Sequence, residues 1–390
     1  MRMKPKRLEL ANVGPMKHAD VTFGDLTVLV GPQATGKSIF LQLFKLVIDR
    51  GAIQSELKRF NIDWAGKPEY FFDLYFGEGM AGIWNKDSSL SIDSENTSLP
   101  DLTKPIRRGG MEERLFFIPA QRVMSLRDGL TRPFTDYRSG DPFALREFSE
   151  KLHQLVQNEF SKDPALFPKD NRLKKAFRDQ IAKNIFGGFG LKTDMERFQK
   201  RVVLSSPEGG PSLPYLVWSA GQREFVPLLL GLYWLIPPSK VSKRGSLEWV
   251  VIEELEMGLH PNAISTTTAL VLELIRRGYK VCISTHSPHV LDVVWALQFL
   301  KKNGGQPGDV LEIFSLGSTP GTKVIAQAAL DANYRVYFFA RDGKARDISM
   351  LDAGSQDTSE AGWGGLSEFS GQVADIVSRV AQRREMEAAK

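Results

Sequence analysis

Apolar positions fall in short blocks along the chain, and each block has its own period. Around Arg7 to Leu10 and Val21 to Phe23, apolar and polar residues alternate, which predicts two half-buried strands. Leu26 to Val30 (LTVLV) is almost wholly apolar, the pattern of a fully buried strand. Beyond a small-residue octet, Ile39, Phe40, Leu43, Phe44 and Val47 recur at helical spacing and predict a helix with one apolar face. Gly77 to Glu113 is polar, Gly/Ser-rich and poorly periodic, and reads as hairpins and loops. RLFFIPAQR, Arg114 to Arg122, predicts a short buried strand running into a polar turn.

The middle of the chain is more helical. Asp141-Pro142 predicts a helix start, with Asp as N-cap and Pro at the first helical position. Leu145, Phe148, Leu152, Leu155 and Val156 would form its stripe. A second helix carries Leu173, Phe177, Ile181 and Ile185 and stops at Gly187-Gly188. The longest apolar run, Phe225 to Ile236, is shorter than the ~20 residues a bilayer span needs, so it reads as a buried helix. LEWVVI is a buried strand that ends in two glutamates. A helix from about Asn262 to Arg277 stops at Gly278, and KVCIST is a strand that ends at His286. Short strands are predicted at Val310 to Leu316, Lys323 to Gln327 and Tyr334 to Ala340. A hairpin turn at Asp342-Gly343 and a terminal helix from Leu366 to Glu387 complete the pattern. No internal repeat stands out, and no heptad run is long enough for a coiled coil.

Composition adds boundaries. With 390 residues, 42% hydrophobic and 25% charged, this is an ordinary globular chain, long enough for a large domain or several lobes. The single cysteine, Cys282, excludes an internal disulfide and a Cys-rich zinc site, and fits a reducing compartment. MRMKPKR is basic like a signal peptide, but no apolar stretch follows it, so a cytoplasmic location is expected. The net charge is +5, and Leu145 to Arg201 alone holds thirteen Lys/Arg against eight Asp/Glu. That basic segment fits either a nucleic-acid surface or a solvated helical face.

Three constellations carry chemistry. Gly31-Pro32-Gln33-Ala34-Thr35-Gly36-Lys37-Ser38 is a complete P-loop between a predicted strand and a predicted helix. Its glycines let backbone N–H groups close around phosphates, and the helix N-terminus adds its positive dipole. Lys37 should reach the β- and γ-phosphates, and Ser38 should bind Mg²⁺. In VVIEELEMGLHP a strand delivers Glu253 and Glu254: the first would hold Mg²⁺, the second would act as general base on the attacking water. In CISTHSPHVLD, His286 sits just past a strand, where it can hydrogen-bond a γ-phosphate; His260 and His289 read as bystanders.

Together these segments resemble the ATP-binding-cassette ATPase heads of the RecF, SMC and OLD families, from Leu8 to about Asp292. IEELEMGLHP is similar to the acidic strand end of the OLD-like group, and STHSPHVL to that group's histidine switch. Ser219-Ala220-Gly221-Gln222 resembles the signature turn of these heads, 182 positions beyond Lys37. The resemblance implies an α/β P-loop NTPase fold of the ABC type, a mixed sheet flanked by helices with an inserted helical lobe. Residues 1–125 and 237–390 would form the nucleotide-binding lobe, and 126–236 the inserted lobe. It also implies a head-to-head homodimer that sandwiches ATP, with Ser219, Gly221 and Gln222 serving the nucleotide held by the partner's P-loop. Gln121 is the candidate for the loop that links γ-phosphate and metal to the inserted lobe. The chain departs from the family at Gln33, Trp218, Ala220 and Leu255, and Ala220 needs a negative φ.

Neighbouring functions separate on sequence. Transporter ATPases carry the signature about half as far behind the P-loop. The span from Lys37 to Ser219, broken by Pro164, Pro168 and Gly187-Gly188, leaves no room for a long coiled-coil arm. No D-x-D pair follows His286, so a TOPRIM nuclease domain is not expected. Two expectations remain: a slow ATPase switch that controls a separately encoded effector, as OLD-like heads do in several bacterial anti-phage systems, and a RecF-like DNA-binding ATPase. In the second, Lys174, Lys175, Arg178 and Lys183 would touch DNA phosphates. Neither expectation assigns a function to Asp352 to Gly365, a polar loop holding Trp363, which would cap the sheet.

Overall fold

A computed structural model describes residues 5–388 apart from 65, 107–111, 162, 197–198, 208, 239–241 and 367. Strands β1 (Arg7–Val13) and β2 (Met16–Thr22) pair antiparallel, and β1 pairs on its other side with β4 (Trp84–Ile92). With β5 (Glu95–Thr97) they form a four-stranded sheet. The larger sheet has six strands. Five are parallel neighbours: β14 (Tyr334–Phe339), β3 (Leu26–Val30), β13 (Lys280–Thr285), β12 (Trp249–Ile252) and β6 (Leu115–Ile118). The sixth, β15 (Ala345–Asp347), pairs antiparallel with β14 across the turn expected at Gly343.

Central strands of a parallel sheet are covered on both faces and need no polar side. Every residue of β3, β6 and β12 is buried accordingly. Helix α1 (Lys37–Arg59) leaves the C-terminal end of β3 and packs on one face. Phe44 sets its ring edge-on to Trp249 of β12 at 4.9 Å and stacks on Phe23 at 4.2 Å. The other face carries helices α7 (Pro261–Arg276), α8 (Pro288–Lys302) and α10 (Pro320–Asp331), whose apolar residues share one core cluster with Val28, Val281 and Val336.

Residues 126–236 combine helices with small sheets. β7 (Leu126–Arg127) and β8 (Leu130–Thr131) form a ribbon, and β9 (Ala165–Phe167), β10 (Gly190–Glu196) and β11 (Gln199–Ser205) form a three-stranded antiparallel sheet that the periodicity did not predict. Helices α4 (Phe143–Gln154), α5 (Lys175–Ile181) and α6 (Ala220–Leu235) accompany them. Phe148 and Leu152 of α4 and Leu228 and Leu229 of α6 join the core cluster that contains Phe116 and Ile118, so this segment packs directly on the large sheet. Buried Lys45 of α1 reaches Glu147 of α4 at 2.8 Å, a tie between the P-loop helix and the insertion, and pairs with Asp49 of its own helix at 3.2 Å.

Several local expectations change. Pro142, not Asp141, is the N-cap of α4; the Asp141 carboxylate instead accepts the Arg138 N–H at 2.8 Å and closes a turn before the helix. Val310 to Leu316 and Lys323 to Gln327 are not strands. They fall in or just beyond α9 (Pro307–Ile313) and in α10, each opened by Pro at its first position and by a capping box, Gln306 with Asp309 and Thr319 with Thr322. Short apolar runs do not distinguish strand from helix, and those caps decide it. Helices α2 (Pro68–Phe76) and α3 (Leu99–Thr103) were not anticipated either. After the short α11 (Thr358–Ala361), helix α12 (Glu368–Ala388) confirms the terminal helix.

Candidate nucleotide site

Parallel strands bring their C-terminal ends to one edge of a sheet. Because β6, β12, β13 and β3 are consecutive neighbours, the segments that follow them line up in that order: Ala120 to Arg122, Glu253 to Glu256, His286, and the P-loop. A cavity of about 460 Å³ opens at the P-loop end of this row. It is lined by Gln33 to Ile39 together with Pro15, Glu254, Ser284 and His286. The sequence candidates from three separate motifs therefore meet in one place.

The loop has the backbone geometry of a phosphate cradle. Gly31 takes a φ of 139°, and a Cβ built there would lie 2.3 Å from the Phe339 carbonyl oxygen of the adjacent strand. Ala34 is held in the left-handed region at φ 62°, and Thr35 ties the turn by donating its hydroxyl to the Pro32 carbonyl at 2.9 Å. Gly36 is the N-cap of α1 and no side chain caps that end, so the first N–H groups of α1 point toward the loop. The Lys37 ammonium lies inside the turn and donates to the Gly31 and Pro32 carbonyls, both at 2.7 Å. Burial pulls its pKa down to about 8, while Glu254 and Glu256 act to raise it.

Glu253 and Glu254 sit in different environments. Glu253 is buried; one carboxylate oxygen accepts the Ala120 N–H at 3.1 Å, while Oε1 is buried with no hydrogen-bond partner. Burial raises its pKa, and the Ser38 hydroxyl and the Ala120 N–H oppose the rise. An unsatisfied buried carboxylate oxygen beside a serine hydroxyl fits Mg²⁺, which takes one or two protein oxygens and completes its shell with phosphates and water. Among the described residues no cluster of three or more His, Cys, Asp and Glu could hold a metal by itself. Glu254 is only half-buried and lines the cavity. Its backbone is strained at φ 44°, a conformation that costs a residue with a Cβ about 1 kcal/mol or more. Three bonds hold it there: its N–H donates to Ser284 Oγ at 3.1 Å, and Arg122 donates to the carbonyls of Glu253 at 2.9 Å and Glu254 at 3.0 Å.

His286 faces the same cavity, with Nε2 3.9 Å from Glu254 Oε1. Burial, then the Lys37 charge, lowers its pKa and favours the neutral imidazole. His260 and His289 lie outside the cavity lining. The first caps α7 by accepting the Asn262 N–H, and the second bonds Ser265 at 2.7 Å.

The SAGQ turn is not brought to its own P-loop. Ser219 is the exposed N-cap of α6 and forms a capping box with Gln222: its Oγ accepts the Gln222 N–H at 3.2 Å, and its N–H donates to Gln222 Oε1 at 3.0 Å. Ala220 is the first helical residue, so it takes the negative φ its Cβ requires. The structure does not bring Gln121 to the cavity either. It is exposed in the turn after β6, three strands from β3, or roughly 14 Å at ordinary strand spacing. Its neighbour Arg122 points inward instead and is fully buried. Arg122 and Glu256 are the residues that motif reading missed. Glu256 accepts the Thr285 hydroxyl at 2.8 Å and the His286 N–H, and so fixes the histidine's loop. Neither shows a local signal beyond its charge.

The cations expected to meet DNA are largely engaged within the chain. Lys174 pairs with Glu273 at 3.0 Å, Arg178 with Asp170 at 2.6 Å and Lys175 with Asp179 at 2.7 Å; Lys183 is exposed.

A P-loop leaving the centre of a parallel sheet, tandem acids on a nearby strand and a histidine on the strand between them define a P-loop NTPase fold of the ABC-ATPase type. Compared with known families, residues 127–292, less than half of the chain and without the P-loop, match the family described as "AAA domain, putative AbiEii toxin, Type IV TA system". No curated protein matches this chain significantly. Among solved structures, an Smc head bound to the C-winged helix domain of ScpA is similar at 12% identity and TM-score 0.40, covering 74% of this chain and 91% of that one. The SMC head domain from Thermotoga maritima is similar at 14% identity and TM-score 0.31, covering 74% and 92%. The ATP-binding cassette MJ0796, in a dimeric post-hydrolysis state bound to ADP and Pi, is similar at 13% identity and TM-score 0.32, covering 73% and 89%. No helix among the described residues is long and apolar enough to cross a membrane.

Proposed function

We propose that the chain is an ATP hydrolase that works as a head-to-head dimer, and that its nucleotide cycle switches a separately encoded effector. The observation that carries this reading is Glu254, held in a strained conformation at the cavity with Lys37 and His286 beside it. Strain of this kind persists where the surrounding structure over-determines it, and it clusters at functional sites. The P-loop N–H groups and Lys37 bind the β- and γ-phosphates, and Ser38 and Glu253 would hold Mg²⁺. When bound, that ion supplies neutralising charge to the phosphate oxygens. Glu254 accepts a proton from water as the water oxygen bonds to the γ-phosphorus and the bond to the bridging oxygen breaks, with ADP leaving. His286, as the neutral imidazole, donates a hydrogen bond to a γ-phosphate oxygen. Ser219 and Gly221 of a second copy complete the site, which accounts for a signature turn that sits outside its own cavity.

For the biological role, the matched family's description names a toxin of a type IV toxin–antitoxin system, and the sequence resemblance points to OLD-like heads; both support a part in anti-phage defence. The DNA-clamp reading has less support, because three of its four cations already meet carboxylates. Steeply salt-dependent affinity for duplex DNA would restore it.

The test is Glu254→Gln. A general base contributes about 10²- to 10⁴-fold, so turnover should fall by that order while ATP binding persists and an ATP-bound dimer accumulates on size-exclusion chromatography. Turnover within about twofold of the parent protein would remove Glu254 as the base. A tagged Glu254→Gln chain, recovered from its host with ATP, should bring a stoichiometric effector protein that a Lys37→Ala control does not.

A further inference from the structure

We propose that Arg122 is a positioning residue that couples the hydrolytic segment of one nucleotide site to the signature turn serving the other; this rests on the head-to-head dimer reading above. Arg122 is completely buried between β12 and α6. Its Nη1 donates to the Glu253 carbonyl at 2.9 Å and its Nη2 to the Glu254 carbonyl at 3.0 Å. Its Nε donates to the Glu224 carbonyl at 3.2 Å and lies 3.7 Å from the Glu224 carboxylate. Glu224 belongs to α6, two residues beyond Gln222. One planar guanidinium therefore holds both candidate glutamates and the start of the signature helix.

A buried guanidinium carries a large desolvation cost unless its donors are satisfied in its own fork geometry. Here all three partner carbonyls come from two elements whose relative placement the side chain fixes. A second contact repeats the tie. A Cβ at Gly221 would lie 2.8 Å from the Gly258 carbonyl oxygen, so the signature turn rests against the loop that follows the glutamates. The far side of that loop is fastened as well. Glu256 accepts the Thr285 hydroxyl at 2.8 Å and the His286 N–H. Residues 253–258 are thus held at one side to the histidine that faces the phosphate site and at the other to the helix capped by Ser219. A shift of Glu254 or His286 on γ-phosphate loss moves a unit that includes the chain's own signature turn. In a head-to-head dimer that turn belongs to the opposite nucleotide.

Mixed dimers separate the effect on the opposite site from damage to the local one. One subunit is unaltered; the other carries Lys37→Ala, so only the unaltered P-loop turns over, served by the variant subunit's signature. Adding Arg122→Lys to the Lys37→Ala subunit should lower kcat at the remaining site at least fivefold with KM for ATP unchanged, because lysine is a point charge and cannot span three carbonyls. Unchanged kcat would overturn the coupling. Adding Ser219→Arg instead should abolish turnover. If it does not, the dimer reading has failed, and the coupling that rests on it falls with it, whatever Arg122→Lys does. If Arg122→Lys subunits do not fold, Glu224→Gln decides: it removes only the ion pair and should lower kcat in the same direction by a smaller factor, and no change there overturns the proposal.

Discussion

The P-loop and the SAGQ turn are both small-residue turns at the start of a helix, and the molecule finishes them in opposite ways. At 31–38 the backbone donors at the helix start are left uncapped by any side chain, Lys37 rests on two loop carbonyls inside the turn, and residues from two other strand ends converge on the same cavity. At 219–222 the local donors are already used: Ser219 and Gln222 satisfy one another in a capping box on an exposed surface. A ligand site that lies within one chain can afford unsatisfied groups because its partner groups are nearby. A turn whose ligand arrives on another molecule has to be stable by itself until then. On the head-to-head dimer proposed above, nucleotide binding would be a property of one chain and turnover a property of two.

The largest effect that tests this is Lys37→Ala. The ammonium should exchange its two loop carbonyls for phosphate oxygens when nucleotide binds. Hydrogen bonds to charged groups are worth about 1.5–3 kcal/mol each, so affinity for ATP should fall by roughly 100-fold or more, read by calorimetry at protein concentrations where the chain is monomeric. Retained affinity would mean that the loop backbone alone suffices. Loss that appears only in the dimer would mean that binding, too, is shared between copies, and would break the comparison.

The two regions also differ in how far the chain announced them. The P-loop, Glu253, Glu254 and His286 were legible because each motif is local and ends a buried strand, and parallel neighbours carry strand ends to one edge. Arg122 and Glu256 were not, because their partners lie 102 to 132 and about 30 positions away, and no spacing rule reports such contacts. The antiparallel sheet of the insertion escaped for a different reason: β9 has only three residues and pairs with β10 some 24 positions further on, and β10 and β11 are polar or charged at most positions, so no apolar alternation marks them. In the last quarter, the helix-opening prolines at 307 and 320 carried the signal that hydrophobic runs hid.

The smaller effects sharpen the contrast at Ser219. As an N-cap its oxygen accepts the Gln222 N–H; as the proposed signature residue its hydroxyl would donate to a phosphate on the partner. Acceptor and donor duties can be split by substitution. Ser219→Ala removes both and should cost about 1 kcal/mol of stability, seen as a fall of a few degrees at most in Tm, together with reduced dimer turnover. Ser219→Asp supplies a capping oxygen and should recover most of that stability. It has no hydroxyl to donate and places a negative charge opposite the γ-phosphate, so turnover should fall further than in Ser219→Ala. Monomer affinity for ATP should be the same in all three proteins. If Ser219→Asp regained turnover along with Tm, the serine would matter only as a cap, and the second turn would be a helix start with no nucleotide to serve.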